Sequence, residues 1–368
     1  MHATRLPLPC RPTAPGLAGL LINATLWLGG CSVAPPAPET VAAPEPVIAE
    51  TPAPVPEPTA EELAAMRAAA LACERITIAA VGDIMIGTDF PKDTLPDDDA
   101  VSLLADVTPV LTGADVAVGN LEGVLIDGGK PFKQCDNPDA CYLFRSPARY
   151  AQRLADAGFD VMSLANNHAR DFGEDGRSAS MAALAAVGIR HSGRVGDIAT
   201  WQQGDISLAF IAFAPFTNSW PMLDLDTAAG EVASLAAEHD IVIVSFHGGA
   251  EGIDAARVPF TTERYYGEDR GDVVEFSRTL VAAGADLVVG HGPHVPRAME
   301  IQDNRLIAYS LGNFATYYGI SVAGLKGVAP ILTTTVDGEG NFVEARIVST
   351  VQLRPAGPSI DPRDRALN

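Results

Sequence analysis

An α/β fold is predicted for this chain, and three observations predict it. Short continuous apolar runs recur along the sequence, runs of helix formers separate them, and six of the apolar runs end in acidic, amide or imidazole side chains. Apolar runs of this length read as strands buried on both faces. Their alternation with helix-like segments is the pattern of an α/β domain. In open α/β sheets, ligands sit in the crevice at the carboxyl ends of the strands. Six polar clusters at six strand ends therefore converge on one site.

The elements follow in order. Arg5 and Arg11 precede an apolar stretch, Leu17–Leu28, which leads into Leu28-Gly29-Gly30-Cys31. The stretch is short for a membrane span and fits the core of a signal peptide. Its ending resembles the lipobox of bacterial lipoproteins, so residues 1–30 are read as a signal peptide and Cys31 as the lipidated first residue. Ser32 stands where an Asp would retain the protein at the inner membrane, which points to an outer-membrane lipoprotein facing the periplasm. Residues 31–59 hold nine prolines between Pro35 and Pro58. Such a segment cannot build a core and reads as an extended, disordered tether. A short helix is predicted over 60–74, from Glu61, Glu62, Leu63, Ala64, Met66 and Arg67.

One domain is predicted over 75–352. Ile76–Gly82, Val116–Gly119, Val161–Ala165, Ile206–Ala214, Ile241–Phe246, Leu287–Gly290 and Leu306–Gly312 are its strand-like runs. Pro147–Ala157, Gly176–Val187, Ala228–Glu238 and Gly271–Ala283 are helix-like. Ile331–Val336 and Phe342–Val348 flank Asp337-Gly338-Glu339-Gly340 and read as a closing hairpin. Residues 353–368 are polar, contain proline and read as a flexible tail.

Composition limits the function. The chain has 368 residues, 47% of them hydrophobic, enough for a packed core. Its net charge of −21 argues against nucleic acid and anionic membrane surfaces as general partners. If the substrate is anionic, metal ions or local arginines must supply the positive potential. Arg145 and Arg270 are the candidate rim arginines. Cys135 and Cys141 flank a polar loop and are expected to pair in an oxidising compartment. Cys73 is read as a buried thiol.

Only seven histidines occur, and four of them, His168, His247, His291 and His294, fall at strand ends. With Asp83 and Glu122 they form a mixed carboxylate and imidazole set that suits Mn²⁺, Fe²⁺ or Zn²⁺, as one or two ions. Two close ions could clamp a phosphoryl group and activate water. His247-Gly248-Gly249 is also the sequence of an esterase oxyanion hole, but no G-x-S-x-G elbow accompanies it.

The same residues carry a resemblance. Val81-Gly82-Asp83-Ile84-Met85, Gly119-Asn120-Leu121-Glu122-Gly123, Ala165-Asn166-Asn167-His168, His247-Gly248-Gly249-Ala250-Glu251, Gly290-His291-Gly292-Pro293-His294 and Ser310-Leu311-Gly312-Asn313-Phe314 are similar to the motifs of the CapA family. That family is associated with bacterial capsule and poly-γ-glutamate synthesis and is distantly related to calcineurin-like metallophosphatases. The resemblance implies a four-layer α/β/β/α sandwich of two mixed sheets. It also implies metal ligation by Asp83, Glu122, Asn167, His247, His291 and His294, with His168 as the catalytic imidazole. Asn120, Asn166, Glu251 and Asn313 are then expected around the ligands or the substrate. Two departures stand out: Met85 replaces the imidazole of an Asp-x-His motif, and the Gly-His-x-His motif is one residue longer here, with Pro293 inside it.

Three functions compete. The first is an envelope-anchored, metal-dependent phosphoesterase acting on a phosphorylated envelope intermediate. The second is a non-catalytic factor that binds or exports an anionic polymer such as poly-γ-glutamate or capsule. The third is a metal-dependent γ-glutamyl amide hydrolase.

Overall fold

The computed structural model describes residues 58–133 and 141–367. The signal segment, Cys31, the tether up to residue 57 and Cys135 lie outside them. The chain divides into two compact units, with the boundary after Ala65. In the first, Thr59 and Glu62 form a capping box: Glu62 N–H donates to Thr59 Oγ1, and Thr59 N–H to Glu62 Oε2. This box starts α1 (Ala60–Leu71), close to the expected helix.

The second unit holds every strand among the described residues. In chain order these are β1 (Arg75–Met85), β2 (Val116–Leu121), β3 (Val124–Leu125), β4 (Arg145–Ser146), β5 (Val161–Ser163) and β6 (Arg190–Ser192). Then come β7 (Ala199–Gln203), β8 (Ile206–Ala214), β9 (Trp220–Pro221), β10 (Ile241–His247), β11 (Glu263–Tyr265), β12 (Glu268–Gly271) and β13 (Leu287–His291). The last are β14 (Met299–Gln302), β15 (Arg305–Ala308), β16 (Asn313–Thr316), β17 (Val328–Asp337), β18 (Phe342–Gln352) and β19 (Pro358–Ile360). The helices are α2 (Thr108–Leu111), α3 (Ala151–Asp156), α4 (Gly173–Ala186), α5 (Leu225–Glu238) and α6 (Val273–Ala282).

Two large mixed sheets result. The first runs β19-β18-β17-β1-β2-β5-β6, with β16 also paired to β1, and the second runs β14-β15-β13-β10-β8-β7. In the first, β1, β2, β5 and β6 are parallel, while β17 and β18 return antiparallel. In the second, β8, β10, β13 and β15 are parallel, and β7 and β14 form antiparallel edges.

Side-chain alternation along the strands builds the layers. On β8, Leu208, Phe210 and Ala212 join Ile76, Ile78, Val116, Val118, Ile243 and Val289 in a core between the sheets. The intervening Ala209, Ile211 and Phe213 face the other way, packing with Val232 of α5 and Val274, Phe276 and Leu280 of α6. On β1, Ala79 and Val81 face a third cluster with Leu154 of α3 and Leu184 of α4. Three apolar layers separate four structural ones, which is the α/β/β/α sandwich. Strands with both faces covered have no polar face, which is why their sequences read as unbroken apolar runs. Asp224 and Asp272 cap α5 and α6, accepting backbone N–H bonds from Thr227 and from Val274 and Glu275.

Four expectations need correction. The Leu306–Gly312 run is not one strand: β15 ends at Ala308 in the second sheet, and the chain crosses to the first, where Asn313 opens β16. The 331–348 hairpin does not close the sheet, since β17 pairs with the central β1 and β19 lies outside β18. Cys73 is an exposed, disulfide-bonded residue and not a buried thiol. Cys141 is disulfide-bonded, and Cys135, its expected partner, lies outside the described residues. Finally, the tail that was expected to be flexible carries a strand and a buried carboxylate. β19 pairs with β18, and the buried Asp361 accepts hydrogen bonds from the Arg363 and Arg365 backbones and from the Arg365 guanidinium.

Those bonds from Arg365 and Arg363 hold the Asp361 carboxyl far below its usual range. Its folded pKa is thus below the unfolded value, so its contribution is present above about pH 4 and is lost as the pH falls further. Amide protection across 358–367 is expected to drop below about pH 4, ahead of the central strands, and Asp361→Asn should produce the same loss at neutral pH. Equal protection of tail and core at pH 3 would refute the anchor.

Candidate metal centre

β1 fixes the first ligand. Its ladder is interrupted around Asp83, which pairs in register with Asn120 of β2 and Asn313 of β16. Gly82 allows this approach: a Cβ there would lie 1.9 Å from the Gly312 carbonyl oxygen. The Asp83 N–H donates to that same oxygen at 2.8 Å. From the second sheet, β10 and β13 end side by side with His247 and His291 in register. Beyond β13, Gly292 has φ +109 and a Cβ on it would meet the Gly248 oxygen at 2.9 Å. The turn it permits swings His294 back toward Asp83.

Asp83, Glu122, His247 and His291 converge at zero exposure, and His294 at 8%. Nδ1 of His294 lies 3.0 Å from both Asp83 Oδ2 and Asn313 Oδ1, so Nε2 is the nitrogen left to ligate. That Nε2 is 3.6 Å from Glu122 Oε1 and 3.7 Å from Glu251 Oε2. His291 Nδ1 lies 3.4 Å from Asp83 Oδ1, an oxygen that accepts from Asn120 Nδ2 at 2.9 Å. Asn166 continues the chain, donating to Asn120 Oδ1 at 3.0 Å and to the Leu121 carbonyl.

What the site lacks is as informative as what it contains. Both oxygens of Glu122, both ring nitrogens of His247 and of His291, and Oδ1 of Asn167 are buried and make no hydrogen bond among the described residues. Buried polar atoms are normally paired. Ligand atoms of Asp83, Glu122 and His294 lie within 4.8 Å of one another, the geometry of a group that could hold a metal ion. The orphaned atoms are metal donors by type, so the residues present fit a divalent cation.

Electrostatics agree. Burial works to raise the Asp83 carboxyl, yet the neighbouring imidazoles of His291 and His294 outweigh it and hold it well below the carboxylate range. Burial pushes Glu122 up to about 8, against the pull of His294. Burial opposes charge on His294, but Glu122, Asp83 and Glu251 together raise it to about 10, so without an ion its Nε2 carries the proton that a bound cation would displace. Burial keeps His247 neutral, well below its ordinary pKa, as a ligating imidazole requires. The carboxylates here demand a positive charge among them.

The chain belongs to a capsule-synthesis family. The family profile described as "Bacterial capsule synthesis protein PGA_cap" matches residues 77–318, which contain every one of these candidate ligands. Among curated relatives, the chain is 30% identical over 252 residues to the PGA biosynthesis protein CapA of Bacillus subtilis, covering 64% of this chain and 61% of that protein. It is 25% identical over 250 residues to the capsule biosynthesis protein CapA of Bacillus anthracis, covering 66% and 60%. The chain therefore spans about three fifths of the length of these relatives. Among solved structures it is similar to a putative 5'-nucleotidase from Staphylococcus aureus, with a TM-score of 0.45, 14% identity, 80% of this chain covered and 57% of that one.

Other expected residues of this PGA_cap chain fall differently. Met85 is buried among Phe144 and Gly319, part of an apolar floor, and the imidazoles beside Asp83 come instead from His291 and His294. Arg145 is not at the site: it pairs with Asp89 and stacks between the Phe90 and Phe172 rings, 5.2 Å from each centroid. Arg270 is buried and not on a rim, where it pairs with Glu251 at 3.2 Å and Glu268 at 2.9 Å and so orients the carboxylate facing His294.

Two positioning residues were missed by the sequence reading. Asp171 Oδ2 lies 2.8 Å from His168 Nδ1, and Phe144 stacks on the same ring at 4.3 Å. The i, i+3 spacing of His168 and Asp171 was the available signal. Lys133 approaches Asp171 Oδ1 at 3.5 Å.

Glu122→Ala and His291→Ala should each lower the metal-to-protein ratio measured by elemental analysis. Asn120→Ala, which removes a hydrogen bond from Asp83, should weaken metal affinity by about 10–100-fold without emptying the site at saturation. Unchanged metal content in both ligand variants would rule out this centre.

Proposed function

We propose that the chain is an envelope-anchored, metal-dependent hydrolase of the phosphoesterase type, acting on an intermediate of capsule or poly-γ-glutamate synthesis. The observation that carries the reading is the set of buried, unpartnered donors on Glu122, Asn167, His247 and His291 around the Asp83–His294 pair. Their oxygen and imidazole chemistry suits Mn²⁺, Fe²⁺ or Zn²⁺, as one ion or two. Such an ion, when bound, supplies Lewis-acid polarisation of a phosphoryl or acyl oxygen and lowers the pKa of water.

The chain's own residues supply the rest. Asp171 accepts from Nδ1 of His168, which fixes the tautomer and leaves Nε2 for the substrate. Burial lowers the His168 pKa against the opposing pull of Asp171, so a proton placed on Nε2 is readily given up to a departing oxygen. Asn166 Oδ1 accepts the His168 backbone N–H at 3.0 Å, while its Nδ2 donates to Asn120, the partner of Asp83. Arg270 holds Glu251 in place on the opposite side. A γ-glutamyl amide could be cleaved by the same donors.

A second reading is a polymer-binding or export factor without turnover. It draws support from Met85, whose thioether is buried in the apolar floor where an imidazole would otherwise serve the ion. In either reading we place the protein in the bacterial envelope as a lipoprotein, with Cys31 as the anchor and the Pro-rich segment as its tether. No helix among the described residues is long and apolar enough to cross a membrane.

His168→Ala is expected to keep the metal while slowing phosphoester hydrolysis by about 10²–10⁴-fold. The loss should be largest for alkyl phosphates and should shrink for nitrophenyl esters, whose leaving oxygen needs little protonation. Absence of metal-dependent hydrolysis of any ester or γ-glutamyl amide by the wild type, with tight polyglutamate binding, would transfer the assignment to the second reading. Separately, metabolic palmitate labelling should be lost in Cys31→Ala, and equal labelling of variant and wild type would remove the anchor.

A further inference from the structure

Beside the metal ligands lies a cavity of about 590 Å³, lined by Lys133, Asn167, Arg170, Arg177, Phe216 and Thr217 among others. At one end Phe216 meets His247, with ring centroids 6.0 Å apart, and Asn167 contributes a ligand candidate. The walls carry three cations in a chain whose net charge is −21. Arg170 and Lys133 are partly answered: Arg170 Nε pairs with Glu174 at 2.6 Å, and Lys133 faces Asp171.

Arg177 is different. It is 1% exposed, and Nη1 donates to the Asn218 carbonyl at 2.7 Å, but Nε and Nη2 are buried without a hydrogen-bond partner among the described residues. Glu174 and Asp197 act on it only at a distance, while Arg170 and Arg194 repel it. A buried guanidinium with two idle N–H groups is costly, and a planar oxyanion is the partner that fits its fork.

We propose that this cavity is a carboxylate-binding subsite, in which Arg177, Arg170 and Lys133 hold an anionic side group of the polymer next to the metal ligands. A polyglutamate chain presents carboxylates at regular intervals, so one can sit in the cavity while a neighbouring backbone bond lies at the ligands. Phe216 covers the methylenes between them. The assignment rests on the hydrolase reading only for what happens at the ligand end. The anion site stands on its own. Inorganic phosphate shares the oxyanion chemistry and is the competing occupant.

Calorimetric titration of the whole protein, stripped of metal with chelator, with γ-glutamyl tetrapeptide and separately with inorganic phosphate tests this. The tetrapeptide should bind, and Arg170→Gln and Arg177→Gln should each weaken it by about tenfold or more, the loss of one charge-assisted hydrogen bond. Arg177→Lys keeps the charge and loses the fork, so it should bind the tetrapeptide more weakly than the wild type. Arg170→Gln should retain the wild-type metal content on reloading. Tetrapeptide affinity unchanged in Arg170→Gln and Arg177→Lys overturns the subsite. Phosphate binding lost in Arg177→Lys, with no tetrapeptide binding by wild type, overturns the carboxylate assignment. Intact ester hydrolysis without tetrapeptide binding sinks the subsite alone, whereas tetrapeptide binding without hydrolysis sinks the hydrolase reading alone.

Discussion

The site depends on keeping the Asp83 carboxylate ionised at zero exposure. An isolated buried carboxylate would take up a proton. Here Asn120 donates to one oxygen, His294 contacts the other, and His291 stands 3.4 Å from the first. These partners come from β2 of one sheet and from β13 and the turn after it in the other. Asp83 thus pins the two sheets together through polar contacts at the rim of an otherwise apolar interface.

That constraint explains several sequence features that look unrelated. Gly82 and Gly292 are needed because backbones must approach where Asp83 and His294 are delivered. Asn313 bonds Nδ1 of His294 through its carbonyl oxygen, while its amide nitrogen donates to the His294, Ser321 and Lys326 carbonyls. It ties the imidazole to the loop after β16. Arg270 is buried because Glu251 must be held near His294 without collapsing onto it. Removing any of these would leave a charge or an amide unpaired in a dry place, which is far more disruptive than losing an exposed ion pair.

Much of this was legible in the sequence, and the reason is physical. Strands buried on both faces must be apolar throughout, so the first polar residue after each run is conspicuous. Asp83, Glu122, His247 and His291 were visible in that way. Arg177 was not, because it sits within α4, where a charged residue is ordinary and burial cannot be read from its neighbours. Asn313 was placed at a strand's end although it begins one, because the crossing between sheets at Ser310–Gly312 is itself short and apolar. The tail was misread for the opposite reason: its polar residues looked solvated, yet Asp361 is a buried hydrogen-bond hub for the turn that follows it.

Asp83 and His294 are separated by 211 positions in the chain. No short stretch contains enough ligands to bind a cation firmly, and the two halves meet only when both sheets have formed and docked. Long-range closure of this kind comes late in folding. Until the sheets dock, the chain therefore carries its donors dispersed, with little power to capture ions. Which cation it acquires is then set by the surroundings in which the last strands close.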